Sequence, residues 1–148
     1  MVEFDRSVLG KEFCLGTFPV TREHIREFAE AVGDLNPLYI DEEAAQQGPY
    51  QGIIAPPIFY DVFRAEEATL PDPKVQFGKV SFNAGQRCEF FRPIRPGDTI
   101  TVKTKIVDVY EKTGRSGPLV FIVRETSYEN QRGETVLVVR QSMVRREV

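Results

Sequence analysis

The second half of the chain is rich in residues that favour β-strands, and this feature limits the possible folds most. Ile100, Val102, Ile106 and Val109 are interspersed with Thr, Lys and Asp. Two further stretches, 119–128 and 135–139, are rich in β-branched and aromatic residues, and the second can continue to Met143. Turn signals at 95–98, 113–118 and 129–133 separate these stretches. Consecutive strands joined by short turns predict an antiparallel sheet.

The first half carries helix signals instead. Thr21 is suited to cap a helix, and Gly33 ends it because glycine adopts the left-handed conformation without a steric penalty. The apolar residues between them fall on one stripe: Ile25, Phe28, Ala29 and Val32. A second helix is predicted to begin at Pro56-Pro57, to be buried through its apolar residues 58–63 and to end at 71–73. Together these elements predict an α+β fold, with the sheet curled around the buried helix.

Length and composition set further limits. A chain of 148 residues is the size of one domain, so we expect a single domain over 1–148. The net charge of −3 argues against a nucleic-acid partner. No apolar run approaches the roughly 20 residues of a membrane span, and the first residues lack a secretory pattern, so we expect a cytoplasmic protein. Cys14, Cys88 and the single histidine, His24, lack the spacing of a zinc site, so no metal is expected.

The sharpest local feature is the segment 33–39, Gly-Asp-Leu-Asn-Pro-Leu-Tyr, directly after the first helix. Asp34 follows a helix end, where the negative end of the helix dipole disfavours a carboxylate, so fold stability does not call for an acid there. Pro37 restricts its own backbone and that of Asn36, which fixes a turn. Tyr39 lies across this turn from Asp34. The segment is therefore a candidate functional loop.

This segment resembles the signature of the MaoC-like (R)-specific enoyl-CoA hydratases and 3-hydroxyacyl dehydratases, in which Gly-Asp-x-Asn-Pro-aliphatic-His follows an aromatic residue and a spacer. Two further segments resemble the family in the same order. Residues 51–57 are similar to the entry of its central helix, and 86–98 are similar to a strand and turn of the N-terminal-type dehydratase domains. The resemblance covers about residues 18–143. It implies a hot dog fold, an antiparallel β-sheet wrapped around a central buried helix.

The resemblance also implies a hydro-lyase activity on acyl-CoA or acyl-carrier-protein thioesters, with no cofactor. It assigns the catalytic loop to Asp34, Asn36 and Tyr39, with Tyr39 in place of the family's histidine. The implied substrate-binding residues are Gly52, Ile54, Ala55, Pro57 and Tyr60. For Gly52, the functional role is an amide donor to the thioester carbonyl, and the alternative is a glycine that serves only chain geometry. For Tyr60, the alternative to an acyl pocket is core packing.

The tyrosine at position 39 divides the functional interpretation. A general base works best with a pKa near the working pH, which suits histidine at about 6.5 and not tyrosine at about 10. Family members that lack the histidine pair with a subunit that keeps it and help to form the acyl channel. We therefore favour a non-catalytic or degenerate subunit, in a homodimer or in a heterodimer with a MaoC-like partner. A self-sufficient hydratase using Asp34 with Tyr39, or an acyl-thioester-binding protein without catalysis, remains open.

Two other functional interpretations of the sequence remain open. Arg87, Arg92 and Arg95 are suited to the phosphates of coenzyme A, or are surface charges paired with nearby acids. A hot dog thioesterase places an acid on or near the central helix, and the available acids there are Asp61, Glu66 and Glu67.

Overall fold

A computed structural model describes residues 1–148, apart from the side chain of Glu67. Five strands form one sheet in which every pair of neighbours is antiparallel. The strands are β1 (Phe13–Pro19), β2 (Val80–Phe90), β3 (Thr99–Gly114), β4 (Gly117–Glu129) and β5 (Thr135–Arg146). Their order across the sheet is β1-β3-β4-β5-β2, so β1 and β2 are the edges. The three strands and their turns predicted in the second half are confirmed, whereas β1 has no counterpart in the sequence-based prediction.

The first helix is confirmed as α1 (Arg22–Val32), and two short helices follow it, α2 (Pro37–Ile40) and α3 (Glu42–Gln46). The Thr21 hydroxyl accepts a hydrogen bond from the His24 amide at 3.1 Å, and Gly33 ends the helix with a φ of 75°. Within the predicted apolar stripe, Ile25 and Ala29 are fully buried and Phe28 is half-buried. Val32, the last residue of the helix, is exposed, so the stripe reaches the surface at its C-terminal end.

The segment after Pro56 differs from the predicted helix. It begins at Pro57 as expected, but it is a 3-10 helix of six residues, Pro57–Val62. Shorter 3-10 turns occur at Arg6–Val8 and Glu67–Thr69. The prediction of a buried helix running to 71–73 is wrong because the apolar run is not buried on all sides. Ile58 and Val62 are 55% and 44% exposed, while Phe59 and Phe63 carry the burial.

Two apolar clusters stabilise the sheet. The larger one joins α1, the Pro57–Val62 segment and the sheet around Ile100, Val102 and Leu137. The smaller one joins the N-terminal residues to the other end of β3 and β4, around Ile106 and Val120. None of the helices in the described part of the chain is long and apolar enough to cross a membrane.

Gly78 closes one corner of the sheet, where the chain enters β2. It has a φ of 69°, and a Cβ atom at this position would lie 2.6 Å from the carbonyl oxygen of Arg146. Arg146 is paired with Val80 of β2 and with Leu119 of β4. The absence of a side chain at position 78 therefore allows the ends of three strands to meet.

Candidate functional site

The loop after α1 is held by its own side chains. Asp34 Oδ1 accepts a hydrogen bond from the Asn36 amide at 3.3 Å, and Asn36 Oδ1 accepts one from the Leu38 amide at 3.1 Å. The second bond caps α2, in which Pro37 occupies the first position, where a missing N–H has no cost. The loop thus leaves the Asp34 carboxylate exposed and turns Tyr39 inward. Asn36 positions the loop backbone in this structure.

Tyr39 belongs to the larger apolar cluster and is only 8% exposed. Burial raises the pKa of its phenol first, and the neighbouring Asp34 carboxylate and the Tyr50 hydroxyl raise it further. All three influences favour the neutral phenol. Among the hydrogen bonds of the described residues, none joins Tyr39 to Asp34. The charge of the Asp34 carboxylate therefore acts on the Tyr39 phenol without a hydrogen bond between the two side chains.

Residues 52–57 lie between α2 and the loop before β3. The Ile54 amide donates to the Leu38 carbonyl at 3.1 Å, and the Ala55 amide donates to the Ile94 carbonyl at 2.7 Å. These bonds place Ile54, Ala55 and Pro57 along one groove of about 460 Å³. The remaining lining of the groove is largely apolar and aromatic: Tyr50, Pro56, Phe90, Phe91, Arg92, Pro93, Ile94 and Leu137. Three of the five predicted substrate-binding residues are thus brought together, next to the Tyr50 ring that influences Tyr39.

Gly52 stands apart from this groove. Its amide, the predicted donor to a thioester carbonyl, already donates a hydrogen bond to the Ala45 carbonyl at 3.1 Å. The preceding residue, Gln51, has a φ of 58°, which is uncommon for a residue with a side chain and stores strain beside the groove. The hydrogen bond to Ala45 favours the alternative in which Gly52 serves chain geometry over the one in which its amide binds a thioester carbonyl.

Tyr60 lines a second cavity, of about 380 Å³, on the same side of the sheet. Its hydroxyl accepts a hydrogen bond from Gln86 Nε2 at 2.7 Å and lies 3.5 Å from Cys88 Sγ. Burial, as the largest cause, and the neighbouring Cys88, as the next, raise the pKa of Tyr60 to about 12. The Tyr60 ring is 6.4 Å from the Phe90 ring of the groove, so Tyr60 stands between the two spaces.

The polar residues of the second cavity were missed by the sequence-based prediction: Gln86, Thr126, Tyr128 and Gln141. A signal was present, because Thr126 and Tyr128 are two positions apart in one strand and therefore share a face. Reading that signal required knowing which face of β4 is the inner one.

The remaining candidates are surface groups. Arg87 pairs with Glu89 at 3.2 Å and Arg92 pairs with Glu134 at 3.0 Å, which fits the surface-pair alternative, although Arg92 also lines the groove. Asp61 is exposed and pairs with Arg64 at 2.9 Å. Glu66 is exposed, and the side chain of Glu67 lies outside the described residues.

Comparison with known proteins decides the family. The family described as "FAS1-like, dehydratase domain region" matches residues 7–139. The chain belongs to this dehydratase family. This membership confirms the resemblance to MaoC-like hydratases and dehydratases that the segments 33–39, 51–57 and 86–98 indicated.

Relatives of this dehydratase domain include a UPF0336 protein and a probable enoyl-CoA hydratase subunit. A UPF0336 protein of Thermobifida fusca is 35% identical over 147 residues, covering 92% of this chain and 93% of the relative. A probable enoyl-CoA hydratase alpha subunit of Thermomonospora curvata is 33% identical over 146 residues, covering 88% of this chain and 46% of the relative.

Solved structures of similar domains confirm the hot dog fold. A MaoC-like dehydratase from Rhodospirillum rubrum has a TM-score of 0.72 at 24% identity, covering 95% of this chain and 93% of the other. The HadBC (3R-hydroxyacyl-ACP dehydratase) complex of Mycobacterium tuberculosis has a TM-score of 0.69 at 27% identity, covering 95% of this chain and 98% of the other. The α+β class and hot dog architecture of the dehydratase domain are therefore established, with a short 3-10 segment where a longer central helix was predicted.

Proposed function

We propose that this dehydratase domain binds acyl thioesters and is the non-catalytic or degenerate subunit of an (R)-specific hydratase or dehydratase. The observation that carries the proposal is Tyr39, a buried phenol with a raised pKa at the position of the family's histidine. A phenol that stays protonated is a poor base for activating water. The exposed carboxylate of Asp34 has no imidazole near it, because His24 lies on the exposed flank of α1.

The apolar groove supports binding of an acyl chain. Its walls are formed by Ile54, Ala55, Phe90 and Leu137 among others, and apolar clefts with a few polar groups are typical of small-molecule sites. An acyl-CoA or acyl-carrier-protein thioester fits this chemistry. A cytoplasmic role in fatty-acid metabolism completes the proposal, and the free thiols of Cys14 and Cys88 suit a reducing compartment.

The edge strand β2 supports association with a second subunit, as a homodimer or as a heterodimer with a MaoC-like partner. Its side chains are exposed along nearly its whole length, including Phe82 and Phe90 at 45% and 53%. An open edge with exposed apolar residues invites strand pairing. The names of two similar proteins point the same way, since one is an alpha subunit and the other is a two-component complex.

One observation favours a second candidate, a self-sufficient hydratase. Asp34 is close enough to Tyr39 to raise its pKa, so the two groups share one local field. In this alternative the Asp34 carboxylate orients the water and the Tyr39 phenol donates a hydrogen bond. A third candidate, acyl-thioester binding without catalysis in any complex, predicts the same groove occupancy and no turnover.

Two measurements on the purified chain test the proposal. Isothermal titration calorimetry with butyryl-CoA tests binding, and the hydration of a short trans-2-enoyl-CoA tests catalysis. We expect binding, and no hydration above the rate without protein. Turnover by the wild type that Asp34→Asn abolishes and Glu30→Gln leaves unchanged would establish the self-sufficient enzyme instead. Absence of butyryl-CoA binding would overturn the acyl-thioester assignment.

A further inference from the structure

The inner face of the sheet becomes polar beyond the apolar groove. The second cavity is lined there by Gln86, Thr126 and Gln141, one residue from each of β2, β4 and β5. The hydroxyls of Thr126 on β4 and Thr104 on β3 share a hydrogen bond, with 3.0 Å between the two Oγ1 atoms. Gln86 is exposed, and Thr126 and Gln141 are half-buried, so this polar row of three side chains is accessible to a ligand with polar atoms.

Arg124, which is half-buried, lies next to this row without being part of the cavity lining. It precedes Thr126 by two positions on the same face of β4 and stands directly opposite Gln141 of β5. One nitrogen, Nη2, donates to the Pro71 carbonyl at 3.4 Å. The Nε atom is buried and has no hydrogen-bond partner among the described residues. A buried N–H of a cation is costly when unpaired, so an oxygen acceptor would be favoured here.

The groove and the cavity lie along the same strands. Leu137 lines the groove, and Val139 and Gln141 line the cavity at the next two positions on that face of β5. At about 3.3 Å per residue, Gln141 is about 13 Å beyond Leu137. Pro57 of the groove and Ile58 of the cavity are likewise adjacent. The Tyr60 ring lies between the two spaces, so an acyl chain that enters the groove and follows β5 has to pass this ring to bring its distal part to the polar row.

We propose that the cavity selects acyl chains bearing a keto or hydroxyl oxygen toward their distal end, which Gln141 and Thr126 bind with Arg124 beside them. This inference rests on the proposed acyl-thioester function and names its substrate class. A neutral oxygen fits better than a carboxylate because the Asp61 carboxylate lines the same cavity. Tyr128, which burial keeps protonated by raising its pKa, is a further donor in the lining.

Calorimetric binding of three saturated acyl-CoA thioesters of one chain length tests the inference. The first is a plain alkyl chain, the second carries a distal keto group and the third a distal carboxylate. We expect the keto thioester to bind about 10-fold more tightly than the alkyl one, which is the upper range of what one hydrogen bond contributes. The ratio of the dissociation constants of the alkyl and keto thioesters should fall to about one in Gln141→Leu. It should fall to a few-fold in the isosteric Thr126→Val.

Ser127→Ala is the matched control, because Ser127 is adjacent to Thr126 and faces the other side of β4. This variant should keep the full preference. Equal binding of the alkyl and keto thioesters, or a preference that persists in both Gln141→Leu and Thr126→Val, would overturn the inference and leave the acyl-binding proposal standing. Tighter binding of the carboxylate would overturn the assignment of a neutral oxygen. Failure of all three thioesters to bind would refute the proposed function itself.

Discussion

Replacing Tyr39 with histidine is expected to give the isolated chain a hydratase activity that the wild type lacks. The substitution restores an imidazole at the position where the family carries its base. Asp34 is already presented by a loop that its own hydrogen bonds hold in place. The variant therefore changes the proton acceptor and keeps the surrounding loop.

The size of the effect follows from the ionisation of the two side chains. At pH 7, fewer than about one in 1000 tyrosines with an ordinary pKa is a phenolate, whereas roughly three quarters of histidines are neutral and able to accept a proton. Burial and the charge of Asp34 raise the pKa of Tyr39, so its phenolate is rarer still. Positioned general bases contribute about 10²–10⁴ in rate, so we expect a gain of at least about 100-fold in Tyr39→His.

The assay is the hydration of a short trans-2-enoyl-CoA as a function of pH. The rate of Tyr39→His should rise between about pH 6 and pH 7, as the imidazole loses its proton. The wild type should show no corresponding rise, because the raised pKa keeps Tyr39 protonated over that range. Tyr39→Phe is the control: it removes only the hydroxyl and should be as inactive as the wild type.

Two results would refute the reasoning on Tyr39. One is a wild-type activity that Tyr39→Phe abolishes, because it would show that the neutral phenol takes part in turnover. The other is a Tyr39→His variant that remains folded and binds butyryl-CoA yet stays inactive. Because a substitution in the core costs about 1–3 kcal/mol, the free energy of unfolding of this variant must be measured alongside.

Two further predictions concern association and stability. In sedimentation at micromolar concentration the chain should be associated, and Phe82→Glu on the open edge of β2 should release monomers while Val32→Glu on α1 should not; a monomeric wild type would contradict the proposed interface. Phe59→Ala should lower the free energy of unfolding by about 3–5 kcal/mol in urea denaturation, because Phe59 is 1% exposed and packs edge-on against Phe28 and Phe63. Its neighbour Ile58 is 55% exposed, so Ile58→Ala should change that free energy by only about 0.5 kcal/mol, and similar losses in both variants would disprove the assigned packing.

The elements that were predicted well are those with strong local signals. Alternating β-branched residues and glycine-containing turns define β3, β4 and β5, and a capping threonine and a terminal glycine define α1. β1 was not predicted from the sequence because Phe13–Pro19 contains a glycine, a bulge and a proline, which weaken a strand pattern. Its pairing with β3 depends on contacts far away in the sequence.

The segment after Pro56 shows why a run of apolar residues is a poor guide to burial. Phe59 and Phe63 enter the core, whereas Ile58 and Val62, each directly before one of them, face outward. A helix that is apolar on every side and a short 3-10 segment with some exposed apolar residues have the same sequence pattern. Only the position of the sheet and of α1 distinguishes the two.

The candidate site was predicted in part. Ile54, Ala55 and Pro57, which the resemblance singled out, lie together along one groove, and their role in substrate binding stays a prediction. The polar cavity was not found, because Gln86, Thr126 and Gln141 are brought together by strand register and not by proximity in the chain. Register depends on the whole set of strand pairs.

The bare backbone at Gly78 has a consequence for tolerance to mutation. Even alanine there would push against the carbonyl of Arg146, whose residue joins β5 to both of its neighbours. Loss of strand pairing would start at that corner and spread along β2, the edge strand proposed to pair with a second subunit. A substitution at a position remote from the groove would thus weaken the proposed association, and a loss-of-function screen would detect it although no residue of the groove is changed.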